Sequence, residues 1–276
     1  MAVRKNQASL TPQEKSAFVA ALLELKRRGR FDPYVTTHNT FIMNDNDNGE
    51  RTAHRAPSFL PWHRSFLLRF ERDLQLINPN VTLPYWDWTV DRTVDASLWG
   101  SDLLGGDGRA SDGQVTTGPF AYSGGNWPLT VSPDSRNFLQ RSLGKDVGEL
   151  PTRAEVESVL AVQPYDAAPW NSSSTSGFRN QIEGWHGVNL HNRVHVWVGG
   201  SMGTGMSPND PAFWLHHCFI DKIWAEWSLR HADHGYLPAT ATPNVVAFGD
   251  VMKPWNDTTP ADMFNHLRYY RYDTRF

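Results

Sequence analysis

The chain of 276 residues contains one cysteine, Cys218, which excludes an intrachain disulfide and leaves redox compartment open. It has no apolar run approaching the ~18 residues of a membrane span. Its start, Met1-Ala-Val-Arg-Lys-Asn-Gln7, lacks the apolar stretch of a signal peptide. Charge of one sign is scarce too: 26 Lys and Arg face 29 Asp and Glu, a formal balance of −3. Neither nucleic acid nor an anionic membrane is therefore an expected partner. No repeat or linker divides the chain, so residues 1–276 read as a single domain. A hydrophobic content of 39% with 12 tryptophans is ample for one core.

What the chain does have is histidine in a pattern. His38, His54 and His63 form one triplet, and His191, His195 and His217 a second. Both fall on segments that read as helices. A spacing of four puts His191 and His195 one turn apart on one face. Phe213, His217, Ile220, Trp224 and Trp227 form a 3/4-spaced stripe, so His217 points toward the core. His216 is turned away by about 100° and reads as a core histidine paired to a backbone or carboxylate group. A single histidine on an apolar face is more often structural. Two triplets at helical spacing point instead to a pair of metal ions inside a helical bundle. His186, His231, His234 and His266 read as solvated or structural, and Cys218 as a small buried apolar residue.

All-imidazole sets suit copper, zinc, iron or nickel. The Glu-x-x-His bridges of di-iron bundles are missing here, and two zinc ions would carry four positive charges without a bridging carboxylate. Copper is favoured, since Cu(I) tolerates three neutral nitrogens and a pair can hand two electrons to dioxygen. Trp62, Trp86, Trp88, Trp197 and Trp214 lie in or beside the motifs, where they would keep water from the metals.

The fold class expected is mainly α: a four-helix bundle around a dinuclear copper site, with long irregular loops and a few short strands. Thr11-Pro12-Gln-Glu14 reads as a capping box opening a helix that ends near Gly29, with Lys26-Arg-Arg28 as solvated positions at its end. A second helix carries His38, and a third runs from about Ser58 to Leu76. Gly100 to Asn126 is an irregular excursion. Thr152-Arg-Ala-Glu155 opens a short helix, Asn171 to Gly177 is a surface loop, and Phe178, Ile182 and Trp185 lead toward the second metal helix. Gly199 to Met206 is a loop joining that helix to the last one, which Asp210-Pro211 caps. Leu267 to Tyr272 alternates as a short strand.

Thr52-Ala-His54-Arg, Phe59-Leu-Pro-Trp-His63-Arg, Leu83-Pro-Tyr-Trp-Asp-Trp88, Leu190-His-Asn-Arg-Val-His195-Val-Trp and Asp210-Pro-Ala-Phe-Trp-Leu-His-His217-x-x-x-Asp221 resemble the two copper-binding regions of type 3 copper proteins. The likeness runs from about Thr11 to Asp273 and is closest to the compact tyrosinases of actinomycetes. It implies that His38, His54 and His63 hold one copper and His191, His195 and His217 the other, with dioxygen bound between them as a bridging peroxide. It also implies ortho-hydroxylation of monophenols to catechols and oxidation of catechols to o-quinones, leading to melanin. The alternatives are a catechol or o-aminophenol oxidase without phenol hydroxylation, and a haemocyanin-like oxygen carrier. Plant and fungal members bond a cysteine to a histidine of the first site; no cysteine stands near His54.

By the same resemblance, Glu183 and Asn192 match positions that hold a water able to take the phenol proton. Otherwise Glu183 is an exposed helix carboxylate and Asn192 a local backbone partner. Val196 stands where some relatives carry a basic group. Asp221 is either a carboxylate behind the ligands or a helix anchor. Actinomycete tyrosinases use a small caddie protein that covers the pocket, delivers copper and carries the export signal. A hetero-dimer with such a partner, docked over Gly199 to Met206, is expected, with secretion on its signal; residence in the cytoplasm is the alternative.

Overall fold

The computed structural model describes residues 1–122 and 125–276. Among the described residues eight α-helices are present: α1 (Pro12–Arg27), α2 (Asp32–Asn44), α3 (Phe59–Gln75), α4 (Arg153–Leu160), α5 (Phe178–Glu183), α6 (His191–Val198), α7 (Ala212–Arg230) and α8 (Pro260–Phe264). The α1 start is set by a reciprocal cap. The Thr11 hydroxyl accepts from the Glu14 N–H at 3.2 Å, and the Glu14 carboxylate accepts from the Thr11 N–H at 2.9 Å. Thr152 and Glu155 repeat this cap at α4, as do Thr259 and Asp262 at α8. The long stretch from Gly100 to Asn126 is irregular as expected; Ser123 and Gly124, within it, lie outside the described residues.

Helices α3 and α7 form the centre. Phe66 and Phe70 of α3 stack on Trp214 of α7, the latter pair at 3.5 Å and 6°, and α7 is buried without a break from Ala212 to Trp227. Such aromatic stacking fixes how the two helices lie against each other. Helices α2 and α6 flank them, so the four histidine-bearing helices enclose one interior.

Strand β1 (Ala2–Arg4) pairs in parallel with β2 (Tyr270–Tyr272), Ala2 opposite Tyr270 and Arg4 opposite Tyr272. Asp221 holds this pair. Its carboxylate accepts from Arg64 Nε at 2.6 Å, from the Tyr272 hydroxyl at 2.5 Å and from the Tyr270 hydroxyl. Burial works against its charge, yet Arg64 and Arg4 keep the carboxyl below its ordinary value. Of its two readings, Asp221 is the anchor.

One local expectation is corrected. Lys26 is buried, not solvated: its ammonium pairs with Asp32 at the start of α2, close enough to tie the two helices. Gly184, at φ +107°, ends α5 after Glu183, and Trp185 beyond it is partly exposed. Asn171 to Gly177 is a loop as expected, anchored at its base by the Asn171, Ser172 and Ser174 carbonyls, which accept from Arg179 and Asn180.

Candidate metal centre

All six histidines named from the sequence meet in the interior. On α6, the His191 and His195 rings lie 4.5 Å apart. Their Nε2 atoms approach His217 Nε2 on α7 to 3.2 and 3.4 Å. His38 on α2, His54 ahead of α3, and His63 on α3 form the other group, with ring separations of 4.8 to 5.8 Å. The groups abut, the His63 and His217 rings being stacked at 4.4 Å and 12°. His216 also offers a nitrogen to the second group. Its Nδ1, however, accepts the Trp88 indole N–H at 3.2 Å, so its partner is a side chain rather than the backbone or carboxylate expected.

His54 corrects the reading of both triplets as helical. It sits in an irregular segment between α2 and α3. Asp45, just past the end of α2, replaces the missing helix: its buried carboxylate accepts the backbone N–H groups of Thr52, Ala53 and His54 at 2.8 to 2.9 Å. Burial pushes that carboxyl up to about 6, opposed by the three amides.

The hydrogen bonds assign the tautomers. Nδ1 of His38 faces the Gly205 carbonyl at 2.7 Å, that of His63 the Phe59 carbonyl at 2.8 Å, and that of His195 the Met202 carbonyl at 2.8 Å. His191 Nδ1 faces Asn192 Oδ1 at 2.9 Å and the Glu183 carbonyl at 3.2 Å. A carbonyl only accepts, so each Nδ1 carries the proton and each Nε2 presents a lone pair. Burial holds all six rings neutral, His38 down to about 3 and His195 to about 4. Nε2 of His38 and of His63 is buried with no hydrogen-bond partner in the protein. At His217 one N–H could satisfy only one of the two facing lone pairs. Converging neutral nitrogens of this kind cost free energy unless a cation takes them.

A cavity of about 240 Å³ opens beside the centre, lined by His38, Ile42, His54, His195, Asn192 and Val196 among others. Val196 is 42% exposed at its mouth. Glu183 is buried, which removes the exposed-carboxylate reading. Its Oε1 accepts from the Arg55 N–H at 2.5 Å and the Trp185 indole at 2.9 Å, its Oε2 from Arg179 at 2.9 Å. Asn192 spends its carbonyl on His191 Nδ1 and leaves its amide donors on the cavity side.

A family model described as the common central domain of tyrosinase matches residues 28–230, a span that contains both histidine groups. The chain belongs to the tyrosinase family. It is 67% identical over 273 residues to a tyrosinase of Streptomyces antibioticus, covering 99% of this chain and all of that one. Among solved structures it is similar to a polyphenol oxidase from Thermothelomyces thermophila, with a TM-score of 0.65 and 26% identity over 84% of this chain and 71% of that one. A deoxygenated haemocyanin from Rapana thomasiana shares the fold, with a TM-score of 0.65, 21% identity and coverage of 100% and 70%. Tyrosinases and haemocyanins hold a pair of coppers, and six neutral imidazoles fit that pair.

Sequence reasoning missed the strap that serves both groups of this tyrosinase site. The segment from Gly199 to Asn209, two short 3-10 turns, joins α6 to α7, and its Met202 and Gly205 carbonyls fix His195 and His38 respectively. Gly205 is required by contact: a Cβ there would stand 2.3 Å from Ile42 Cγ2 and 2.6 Å from Asn39 Oδ1 on α2. A glycine-rich loop next to a ligand helix was the available signal. Asp45, nine residues before His54, offered none, because its partners are backbone amides.

Proposed function

We propose that this chain is a copper tyrosinase, ortho-hydroxylating monophenols to catechols and oxidising catechols to o-quinones that lead on to melanin. His38, His54 and His63 would hold one copper, and His191, His195 and His217 the other. The observation that carries the reading is the convergence of lone-pair Nε2 atoms from neutral, oriented imidazoles beside an open cavity. The bound copper pair supplies the dioxygen site and accepts and donates two electrons.

The chain's own residues do the rest. The cavity between Ile42, Asn192 and Val196 has room for one ring, which once seated would displace water from beside the histidines. Phe213 packs over His217 at 4.1 Å and fixes its ring. A phenol must lose a proton held against a pKa near 10. Asn192, with free amide donors, and Glu183, a buried anion balanced by Arg179, are suited to hold the water that takes it.

Initial rates on a monophenol, a catechol and an o-aminophenol with copper-loaded protein test the proposal. Steady turnover of the first two supports it. Catechol turnover without phenol hydroxylation would reduce it to a catechol oxidase, and reversible oxygen uptake without turnover would make it a carrier.

A small caddie-like partner is part of the proposal, seated over the strap. Exposed Val196 beside the cavity mouth, and the histidines that line that cavity, support it. The partner's export signal would take the enzyme out of the cell. Expression alone in copper medium should give mostly copper-free protein, and co-expression should restore occupancy and secretion. Full copper occupancy from the chain by itself would remove the need for a partner.

A further inference from the structure

We infer that Arg55 is the cation that receives an anionic substituent, such as a carboxylate, carried by the phenol or catechol ring; this rests on the phenol-oxidising reading above. Four buried arginines each have a carboxylate partner, Arg4 with Glu71, Arg64 with Asp221, Arg141 with Asp210 and Arg179 with Asp166, while buried Arg51 spends its guanidinium on the Asp47, Gly49, Pro169 and Trp170 carbonyls. Arg55 is the contrast. Among the described residues its half-buried guanidinium makes no ion pair and lies over the Trp185 ring, 4.8 Å from the centroid.

The nearby carboxylates are engaged elsewhere. Asp45 is taken by three backbone amides, and Asp47 by the Ser172 N–H and hydroxyl at 2.9 and 2.6 Å. Glu183 answers Arg179. The posture of Arg55 is also imposed. Its φ of +53° is rare for a long side chain, and it is held there by the N–H bond to Glu183 Oε1, the oxygen that also accepts the Trp185 indole. One buried carboxylate thus positions both members of the cation–aromatic pair.

The pair adjoins residues that line the cavity. Arg55 directly follows His54, and Gly184, next to Trp185, backs onto Asn192, where a Cβ would lie 3.1 Å from the Asn192 Cβ. His54 and Asn192 both line the cavity. Across the mouth, Val196 offers no charge. A ring seated in the cavity with its substituent toward the His54 and Asn192 end meets one free guanidinium, whose fork suits a carboxylate.

The test uses copper-loaded protein and three catechols of similar size: 3-(3,4-dihydroxyphenyl)propionate, 4-methylcatechol and dopamine. Arg55→Asn removes the charge with a residue that tolerates the left-handed backbone. It should raise KM for the propionate about tenfold more than for 4-methylcatechol, and lower the ratio of dopamine KM to propionate KM by more than that. Arg55→Lys should keep the order of preference with a smaller gap, which guards against misfolding of the first variant. Calorimetric titration of copper-free protein with 3-phenylpropionate gives a readout apart from turnover, and Arg55→Asn should weaken that binding by a similar factor. Equal losses on all three catechols, or a change in kcat alone, would overturn the assignment. If the wild type oxidises none of them, the phenol-oxidising reading fails, and the titration then decides Arg55 by itself.

Discussion

The two histidine groups reach similar ends by different means. The second is built by helix periodicity: His191 and His195 are one turn apart on α6, and His217 hangs from a helix buried for most of its length. The first has one ligand candidate on each of α2 and α3 and a third, His54, on a segment without regular structure, held by the Asp45 carboxylate. Helical geometry is local and resists distant change, because each turn is fixed by its own backbone bonds. The irregular segment hangs on side chains from elsewhere in the chain, Asp45 on the Thr52 to His54 amides and Glu183 on the Arg55 amide, and His38 leans on the strap from across the fold. The first group should therefore be the more easily loosened of the two.

The sharpest way to break this contrast is to remove one ligand from each group. His63→Ala and His217→Ala should each lower copper from two per chain toward one and abolish the charge-transfer absorption of bound dioxygen, read by metal analysis and oxygenation spectra. His216→Ala should keep both coppers while losing about 2 kcal/mol of stability through the vacated space beside Trp88. Two coppers in His217→Ala and one in His216→Ala would reverse the assignment on α7.

Next in size is Asp45→Asn, which weakens the hold on the Thr52 to His54 amides. We expect affinity for the first copper to fall about 10- to 100-fold, the range for losing an outer support of a ligand. The second copper should be nearly unaffected, so metal titration should resolve two classes of site where the unaltered chain shows closer affinities. Equal weakening of both would mean that the loop and the helices are one cooperative unit.

Gly205→Ala attacks the first group from the strap. The new methyl must push the strap off α2 or displace Ile42, whose β-branched side chain is stiff at χ1. His38 then loses its carbonyl partner, and first-site affinity should drop about tenfold. The Met202 carbonyl on the same strap makes a smaller loss at the second site the expected companion, and no loss at either site would show that the strap yields freely.

The smallest effect concerns the reaction rather than the metals. Asn192→Ala and Glu183→Gln should lower the phenol rate relative to the catechol rate by about tenfold, with copper content kept, because a catechol gives up its first proton more readily and needs no hydroxylation. Loss of copper in Glu183→Gln would instead assign that residue to scaffolding, a role its bonds to Arg55, Trp185 and Arg179 also suit.

The amino-acid sequence by itself determined what depends on short range. The four-residue step from His191 to His195, the stripe that turns His217 inward to meet them, and the two capping boxes at Thr11 and Thr152 are all set within a few turns of chain, where spacing is geometry. Its long motifs also carried the tyrosinase likeness. Tertiary structure alone decided the rest, for one physical reason: the groups concerned meet partners far along the chain that carry no sequence mark of the meeting. Asp45 binds amides, Gly205 and Met202 orient imidazoles through carbonyls that any residue would have, and Asp221 proved an anchor only because β2 folds back to it. Arg55 reads in the sequence as one more charged residue after a ligand. Its solitude is visible only once every nearby carboxylate has found another partner.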